Sequence, residues 1–411
     1  MLESEEAARR LGVKITTLYA YVSRGLLTSH PCADPKRRLF DLEEVEALAR
    51  RSRSAKRVET RIASVTTGVT QLRDDGPAYR GIPASTLAGT TPFEDVADLL
   101  WRADPDMSHW CPVALPNPPS IEPHDVLHWA ILMCGASDPL RSDLRKDAVV
   151  RNARKVLATS TAVLVRRTLC DLPAHRHDEV RLSDSEPGSV ARRLTSSFTL
   201  ATPDSSGSQA LRASTSRSSQ LERAIDAALV LLADHELATS TMAVRIAACT
   251  RADVYDALLA GLSTVAGPLH GGASEQAHAL LVQAETAGPG PALDTFLRWQ
   301  RTLPGFGHVV YMSGDPRFSA LLPLVYDLAT DRQRQHVETV LEIARSHGIP
   351  GPNIDLALAA LTWVGGFGPK AGRIIFSVAR LAGWTAHYLE ELDERPLRFR
   401  ARAVYSSTAP T

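Results

Sequence analysis

The sequence predicts an all-α protein, a large helical body behind a small winged helix-turn-helix head, on three observations. From about residue 60 onward apolar residues recur at helical spacing with few strand-like alternations. In "LERAIDAALVLLADHE", Leu221, Ile225, Ala228, Leu229 and Leu232 mark one such face. Pro-rich "CPVALPNPPSIEP" (111–123) and Ser-rich "TPDSSGSQALRASTSRSSQ" (202–220) interrupt the helical pattern with the composition of loops. The first 50 residues, in contrast, hold two short helical segments joined by a tight Gly-Val turn.

The head follows in order. Ser4 before Glu5 and Glu6 makes a helix start, since a hydroxyl caps free amides and acids suit the positive end of the helix dipole. Gly12 closes that helix. The second, "ITTLYAYVSRG", places Ile15, Leu18, Tyr19 and Val22 on an apolar stripe and ends at Gly25. "LLTSHPCADPKRRLF" reads as a hairpin with a basic return strand, and Asp41 with Glu44 is a capping-box pattern for a third helix over 42–51. Residues 1–57 carry 12 Lys/Arg against 8 Asp/Glu, although the whole chain balances 46 against 46. That bias permits a nucleic-acid partner without requiring one.

This head resembles winged helix-turn-helix domains of the MerR and excisionase type in the phrase "EAARRLGVKITTLYAYVSRGLL". The resemblance implies that the second helix meets the major groove through Lys14, Thr16, Thr17, Tyr21 and Arg24, while Lys36, Arg37 and Arg38 meet phosphates. The ordinary alternative is a helical module that docks on its own protein or on a second copy. The head is expected over 1–53, with the polar, basic stretch 54–61 as a linker.

Composition narrows the rest. Hydrophobic residues make up 44% of the 411 and charged residues 22%, as in ordinary globular proteins. No apolar run approaches the roughly 20 residues that span a bilayer, and the N-terminus lacks a basic stretch followed by an apolar core. No membrane role and a cytoplasmic location are the expectations. The five cysteines are widely spaced without a CxxC pair, and an odd count cannot close a disulfide set.

Among 13 histidines, His175 and His177 in "AHRHDE" have chelating spacing, but no partner ligands lie at recognisable spacing, so no metal is expected. His387 in "GWTAHYLE" reads as a packed histidine. His235, His270 and His308 are singular. His270 stands between Gly-Pro and Gly-Gly in "AGPLHGGASEQA", and His308 between two glycines and the triplet Asp315, Pro316, Arg317 in "PGFGHVVYMSGDPRF". Asp355 opens a helix in "GPNIDLALAAL". Each has an ordinary reading alone, as a turn histidine or a capping aspartate. Together, two Gly-flanked histidines and a helix-start aspartate form an acid-base constellation for carbon chemistry.

In chain order, "DHELATST", "GPLHGGASE", "GFGHVVYMSGDPR", "PNIDLALA", "VARLAGWTAHYLE" and "RARAVY" resemble the successive motifs of citrate synthases, and "LRDDGPAYRGIPASTLAGTTPFEDVADLLW" resembles their N-terminal segment. The resemblance implies an all-α fold with a large domain at 62–266 and 369–411 and a small domain at 267–368 that closes over substrate. It implies a transferase that condenses acetyl-CoA with oxaloacetate and hydrolyses the thioester to citrate, a tricarboxylic acid cycle reaction, with no metal or other cofactor. Asp355 would take a proton from the acetyl methyl, His270 would donate to the thioester oxygen, and His308 would polarise the ketone. His235, Arg317 and Arg380 would bind oxaloacetate. Arg400 would reach the site across a homodimer interface, its planar fork matching a carboxylate.

Three departures from the family's commonest pattern stand out: Val309 and Met312 where basic residues are frequent, Leu356 where an aromatic is usual, and "RAR" for "RPR". They bear on CoA binding more than on the catalytic groups. Two alternatives stay open, a 2-methylcitrate synthase using propionyl-CoA and a DNA-binding metabolite sensor with a catalytically weak body.

Overall fold

The computed structural model describes residues 1–11, 13, 15–23, 27–31, 38–42, 44–45, 65–105, 110–171, 189–201, 210–267, 270–299, 303–312 and 314–400. The chain divides into two compact units, 1–66 and 67–411. The expected linker 54–61 and most of the third head helix lie outside the described residues.

In the first unit, β1 (Leu2–Glu3), α1 (Ser4–Leu11), α2 (Ile15–Ser23), β2 (Ser29–Pro31) and β3 (Arg38–Phe40) follow in order. The strands form an antiparallel sheet ordered β1-β3-β2, with Ser29 opposite Phe40 and Pro31 opposite Arg38. Ala7, Ala8, Leu18, Leu27, Phe40 and Val45 make its core. The expected stripe on α2 is rotated: Leu18 and Val22 turn inward, but Ile15 and Tyr19 are exposed. Tyr21, expected to face DNA, is half-buried and packs against this core. Glu44 helps hold the start of its segment by its amide, which donates to Asp41 Oδ1 at 3.3 Å. Its carboxylate is engaged elsewhere, accepting from the Thr28 amide and hydroxyl at 2.8 and 3.0 Å.

The second unit opens with a small antiparallel sheet, β4 (Thr70–Arg73), β5 (Gly76–Tyr79) and β6 (Ile82–Pro83). This corrects the all-helical expectation: the turn at Asp74–Asp75 with Gly76 at φ 114° makes a hairpin that short-range helical periodicity does not register. Helices then dominate: α3 (Ala84–Leu87), α4 (Phe93–Trp101), α5 (Pro123–Ser137), α6 (Lys146–Cys170), α7 (Val190–Ala201), α8 (Ala210–Leu232), α9 (Thr239–Cys249), α10 (Val254–Val265), α11 (Ala273–Ala287), α12 (Pro289–Trp299), α13 (Pro316–Leu328), α14 (Asp331–Ser346), α15 (Ile354–Val364) and α16 (Ala371–Leu392). None of the described helices is long and apolar enough to cross a membrane. The Pro-rich segment is a loop where described. The Ser-rich one is not: α8 begins at Ala210. Arg217 explains part of this, since its guanidinium donates to the Leu328 and Val364 carbonyls at 3.1 and 3.0 Å and tethers that end of α8. Tertiary contact overrides weak local propensity.

Buried α16 organises the unit. Its Trp384 packs against α9 and α10 so closely that a Cβ on Gly261 would stand 2.7 Å from Val244 and 2.9 Å from Trp384. At Gly383 the chain segment after α8 lies directly on the helix, with the Gly383 amide donating to the Ala233 carbonyl at 3.0 Å. A Cβ there would meet that carbonyl oxygen and Asp234 Oδ1 at 2.4 Å each. Only glycine allows this approach, and the approach delivers His235 beside α16.

Candidate active site

The loop that carries His308 and leads into Arg317, and the start of α15 that carries Asp355, are held in one frame. The loop bearing His308 runs between α11 and α15: a Cβ on Gly305, at φ 83°, would stand 2.8 Å from Leu356 and 3.2 Å from Ala277. Backbone bonds then join this loop to the start of α15, from Gly307 N to Gly351 O (2.8 Å), Asn353 N to Gly305 O (2.9 Å) and Asp315 N to Pro352 O (3.0 Å). Asn353 caps α15 through the Asp355 amide and also donates from Nδ2 to the Gly307 carbonyl at 2.8 Å. His308 and Asp355 are thereby fixed relative to each other by their shared backbone frame.

His308 is held in one tautomer. Its Nδ1 accepts from the Val310 and Tyr311 amides at 3.0 and 3.3 Å, so Nε2 carries the proton of the neutral ring. Arg317 Nη2 lies 3.4 Å from that Nε2. Both atoms are donors, so they serve a shared acceptor better than each other. His235 stands edge-on to His308 and Tyr311, with ring centres 5.3 and 5.7 Å apart. On the other side, Phe376 links Arg380, whose guanidinium carbon is 4.8 Å from the ring centre, to His270, whose ring centre is 6.0 Å away.

His270 sits in a turn where its own amide and that of Gly271 both donate to the Gly267 carbonyl, at 3.0 and 3.2 Å. A Cβ on Gly271 would lie 2.3 Å from the Val265 carbonyl oxygen, which accounts for one glycine of the pair. Pro268 lies outside the described residues. The His270 Nε2 meets Ser240 Oγ at 2.9 Å.

Electrostatics sort these groups. Burial, followed by the positive charges of Arg317 and Arg380, holds His235 far below the ordinary histidine range. Burial and Arg380 lower His270, and burial and Arg317 lower His308. All three rings are neutral donors or acceptors near pH 7. Burial pushes Asp355 up to about 6, against the pull of Arg317 and with the repulsion of Asp315. The two arginines differ. Arg317 makes a two-pronged pair with Asp315 at 2.7–3.2 Å. Buried Arg380 leaves Nε and Nη1 without hydrogen-bond partners, and burial lowers it to about 10. Arg400 is exposed.

Several groups escaped sequence reading. Phe376 carries no motif signal. Asp234, Ser240 and His387 had a weak one, as neighbours within matched motifs. In the structure His387 is packed and hydrogen-bonded as expected, inside a buried chain of charges. Arg245 donates to Glu391 (3.0 Å), Glu390 (2.8 Å) and His387 Nδ1 (2.8 Å), and His387 Nε2 faces Asp234 Oδ2 at 3.3 Å. Asp234 Oδ2 also accepts the Glu236 amide at 3.1 Å, shaping the turn that holds His235. Of the head residues named for DNA, Thr17 is half-buried and Arg38 exposed. Lys14, Arg24, Lys36, Arg37 and the side chain of Thr16 lie outside what is described, as do His175 and His177.

Comparisons with known proteins place the chain among its relatives. The family described as "Citrate synthase, C-terminal domain" matches residues 58–402. Citrate synthase 2 of Bacillus subtilis is 27% identical over 84% of this chain and 94% of its own. The 2-methylcitrate synthase of Mycobacterium tuberculosis is 28% identical over 78% of this chain and 82% of its own. A solved ternary complex of Thermoplasma acidophilum citrate synthase with carboxymethyl coenzyme A and oxaloacetate has a TM-score of 0.64 at 22% identity, over 85% of this chain and 96% of that one. A family match across most of the chain, over a helical fold that sets His235, His308 and two buried arginines in one cluster, makes this protein an enzyme of the citrate synthase family.

Proposed function

We propose that the protein condenses acetyl-CoA with oxaloacetate and hydrolyses the citryl thioester. The observation that carries this is the set of buried groups left unpartnered: Arg380 Nε and Nη1, His235 Nε2 and the Tyr311 hydroxyl. Leaving such groups unpaired costs about 1–3 kcal/mol each, so together they suit a ligand rich in anionic oxygens, as a dicarboxylate is.

Asp355 is the base. A carboxylate raised to about 6 is a stronger base than an ordinary one and is still largely ionised at pH 7. It takes a proton from the acetyl methyl while His270, its Nε2 satisfied by the Ser240 hydroxyl, donates from Nδ1 to the thioester oxygen. The enol carbon then attacks the ketone carbon of oxaloacetate. His308 Nε2–H, aimed beside Arg317, gives its proton to the new alkoxide. Water cleaves the thioester, releasing CoA. In this reading residues 267–368 close over the substrates as a small domain, and a second copy supplies Arg400, so that the working unit is a homodimer. Propionyl-CoA is the alternative donor, since one methylene shifts binding by only about 1–3 kcal/mol.

The test is release of free CoA thiol with oxaloacetate and each acyl-CoA. Turnover with acetyl-CoA preferred supports the reading, propionyl-CoA preferred moves it to 2-methylcitrate, and no turnover from folded protein overturns it. For the head, the exposed Arg38 on its return strand supports the DNA reading. Binding to duplex DNA that weakens steeply as salt rises is the expected result.

A further inference from the structure

Outside the catalytic cluster, the first turns of α5 bring His124, Asp125 and His128 together. One ligand atom from each lies within 4.8 Å of the others, and these are the residues of the described set that could jointly hold a metal ion. The two imidazole centres are 5.0 Å apart, inclined at 65°. Two imidazoles sharing one tetrahedral zinc at Zn–N distances of about 2.0–2.1 Å have ring centres roughly 5 Å apart. The spacing therefore already suits a shared ion.

Two further observations point to a ligand. His124 is only 9% exposed, and its Nε2 is buried with no hydrogen-bond partner. The tautomer of His128 is also favourable. Its Nδ1 faces the His124 carbonyl at 3.3 Å and so carries the proton, which leaves the Nε2 lone pair free for a metal, with Ser263 Oγ a weak alternative partner at 3.4 Å. A cavity of about 230 Å³ adjoins His124 and Asp125 and is walled by Glu122, Glu275, Lys370 and Arg373. The two cations do not oppose a metal unaided: Lys370 pairs with Glu122 at 2.5 Å and Arg373 with Glu275 at 2.7 Å, so three carboxylates face two positive charges.

We propose that His124, Asp125 and His128 bind one divalent transition-metal ion, with water from the adjoining cavity in the remaining position. Two imidazoles and a carboxylate select zinc-like ions over magnesium or calcium, which prefer all-oxygen shells. The site is independent of the condensation chemistry and stands whether or not that reading holds.

The experiment titrates chelator-treated full-length protein with cobalt(II), whose visible absorption reports low-coordinate nitrogen and oxygen ligation, and then displaces it with zinc. One equivalent per chain is expected, with affinity falling at acid pH as the imidazoles protonate. His128→Gln should weaken binding about tenfold or more, and Asp125→Asn by less, while both melt like the metal-free parent. A His175→Asn/His177→Asn variant should bind as the parent does. Absence of the cobalt spectrum, full binding by His128→Gln, or loss of binding in the His175/His177 variant would each overturn the assignment. Should His128→Gln misfold, unaltered cobalt binding by Asp125→Asn would overturn it equally.

Discussion

Asp355→Asn is expected to slow CoA-thiol release by about 10²–10⁴, the range a positioned general base supplies, and at the same time to make the protein more stable at neutral pH. The two effects share one cause. Burial raises the native carboxyl to about 6, above the value it takes in an unfolded chain. The native state therefore holds this proton more tightly. That contribution to stability is fully present below about pH 4 and is lost as pH rises through about 6. At pH 7 the wild type carries a desolvated anion that the neutral amide of the variant replaces, which corresponds to a gain on the order of 1–3 kcal/mol, at about 1.4 kcal/mol per pH unit of difference. Wild-type turnover should correspondingly fall as pH drops below about 6, while the residual rate of the variant follows no such limb. Thermal melts at pH 4 and pH 7 check the stability half. A variant that retains the wild-type rate, or that loses stability at pH 7, would remove Asp355 from the role of base.

Much of this site was legible because its residues sit in locally unusual sequence. Glycines at 305 and 307 mark a loop with φ values of 83° and 77°, which few residues adopt, and Asn353 marks a helix start. Such features persist in a short window of sequence. What stayed hidden depends on long-range packing. Ser240 lies 30 residues from the His270 it contacts, and Asp234 lies 153 from His387. Neither distance leaves a periodic trace. The hairpin at 70–83 escaped because its short strands are less distinctive than the helices around them. The Ser-rich start of α8 escaped because the Leu328 and Val364 carbonyls that tether it belong to other helices. The rotation of α2, which exposes Tyr19 and buries part of Tyr21, goes with Leu18 joining the core of Ala7, Ala8, Leu27, Phe40 and Val45, a choice no single-helix stripe contains.

The contrast between the two buried arginines gives the second large expectation. Arg380→Met should weaken oxaloacetate binding by at least about 2–5 kcal/mol, roughly thirty-fold to several thousand-fold in its dissociation constant, and yet raise the melting temperature of the free protein. Arg380 is desolvated, stacks its guanidinium on Phe376 and has two nitrogens with no acceptor. Its burial costs the free protein stability that the charges of Asp234 and Asp355 offset only in part, whereas a methionine of similar length fills the same space without a charge to bury. Arg317→Met should behave in the opposite way. There the lost cation leaves Asp315 buried beside the Ile354 amide without its ion partner, at a cost of about 3–5 kcal/mol. It would also loosen the start of α15 that positions Asp355. Melting curves with and without oxaloacetate separate the two: the ligand should stabilise the wild type strongly and Arg380→Met hardly at all. If Arg380→Met instead melts lower than the wild type and still gains the full ligand shift, its guanidinium belongs to the packing of α16 and not to the anion site.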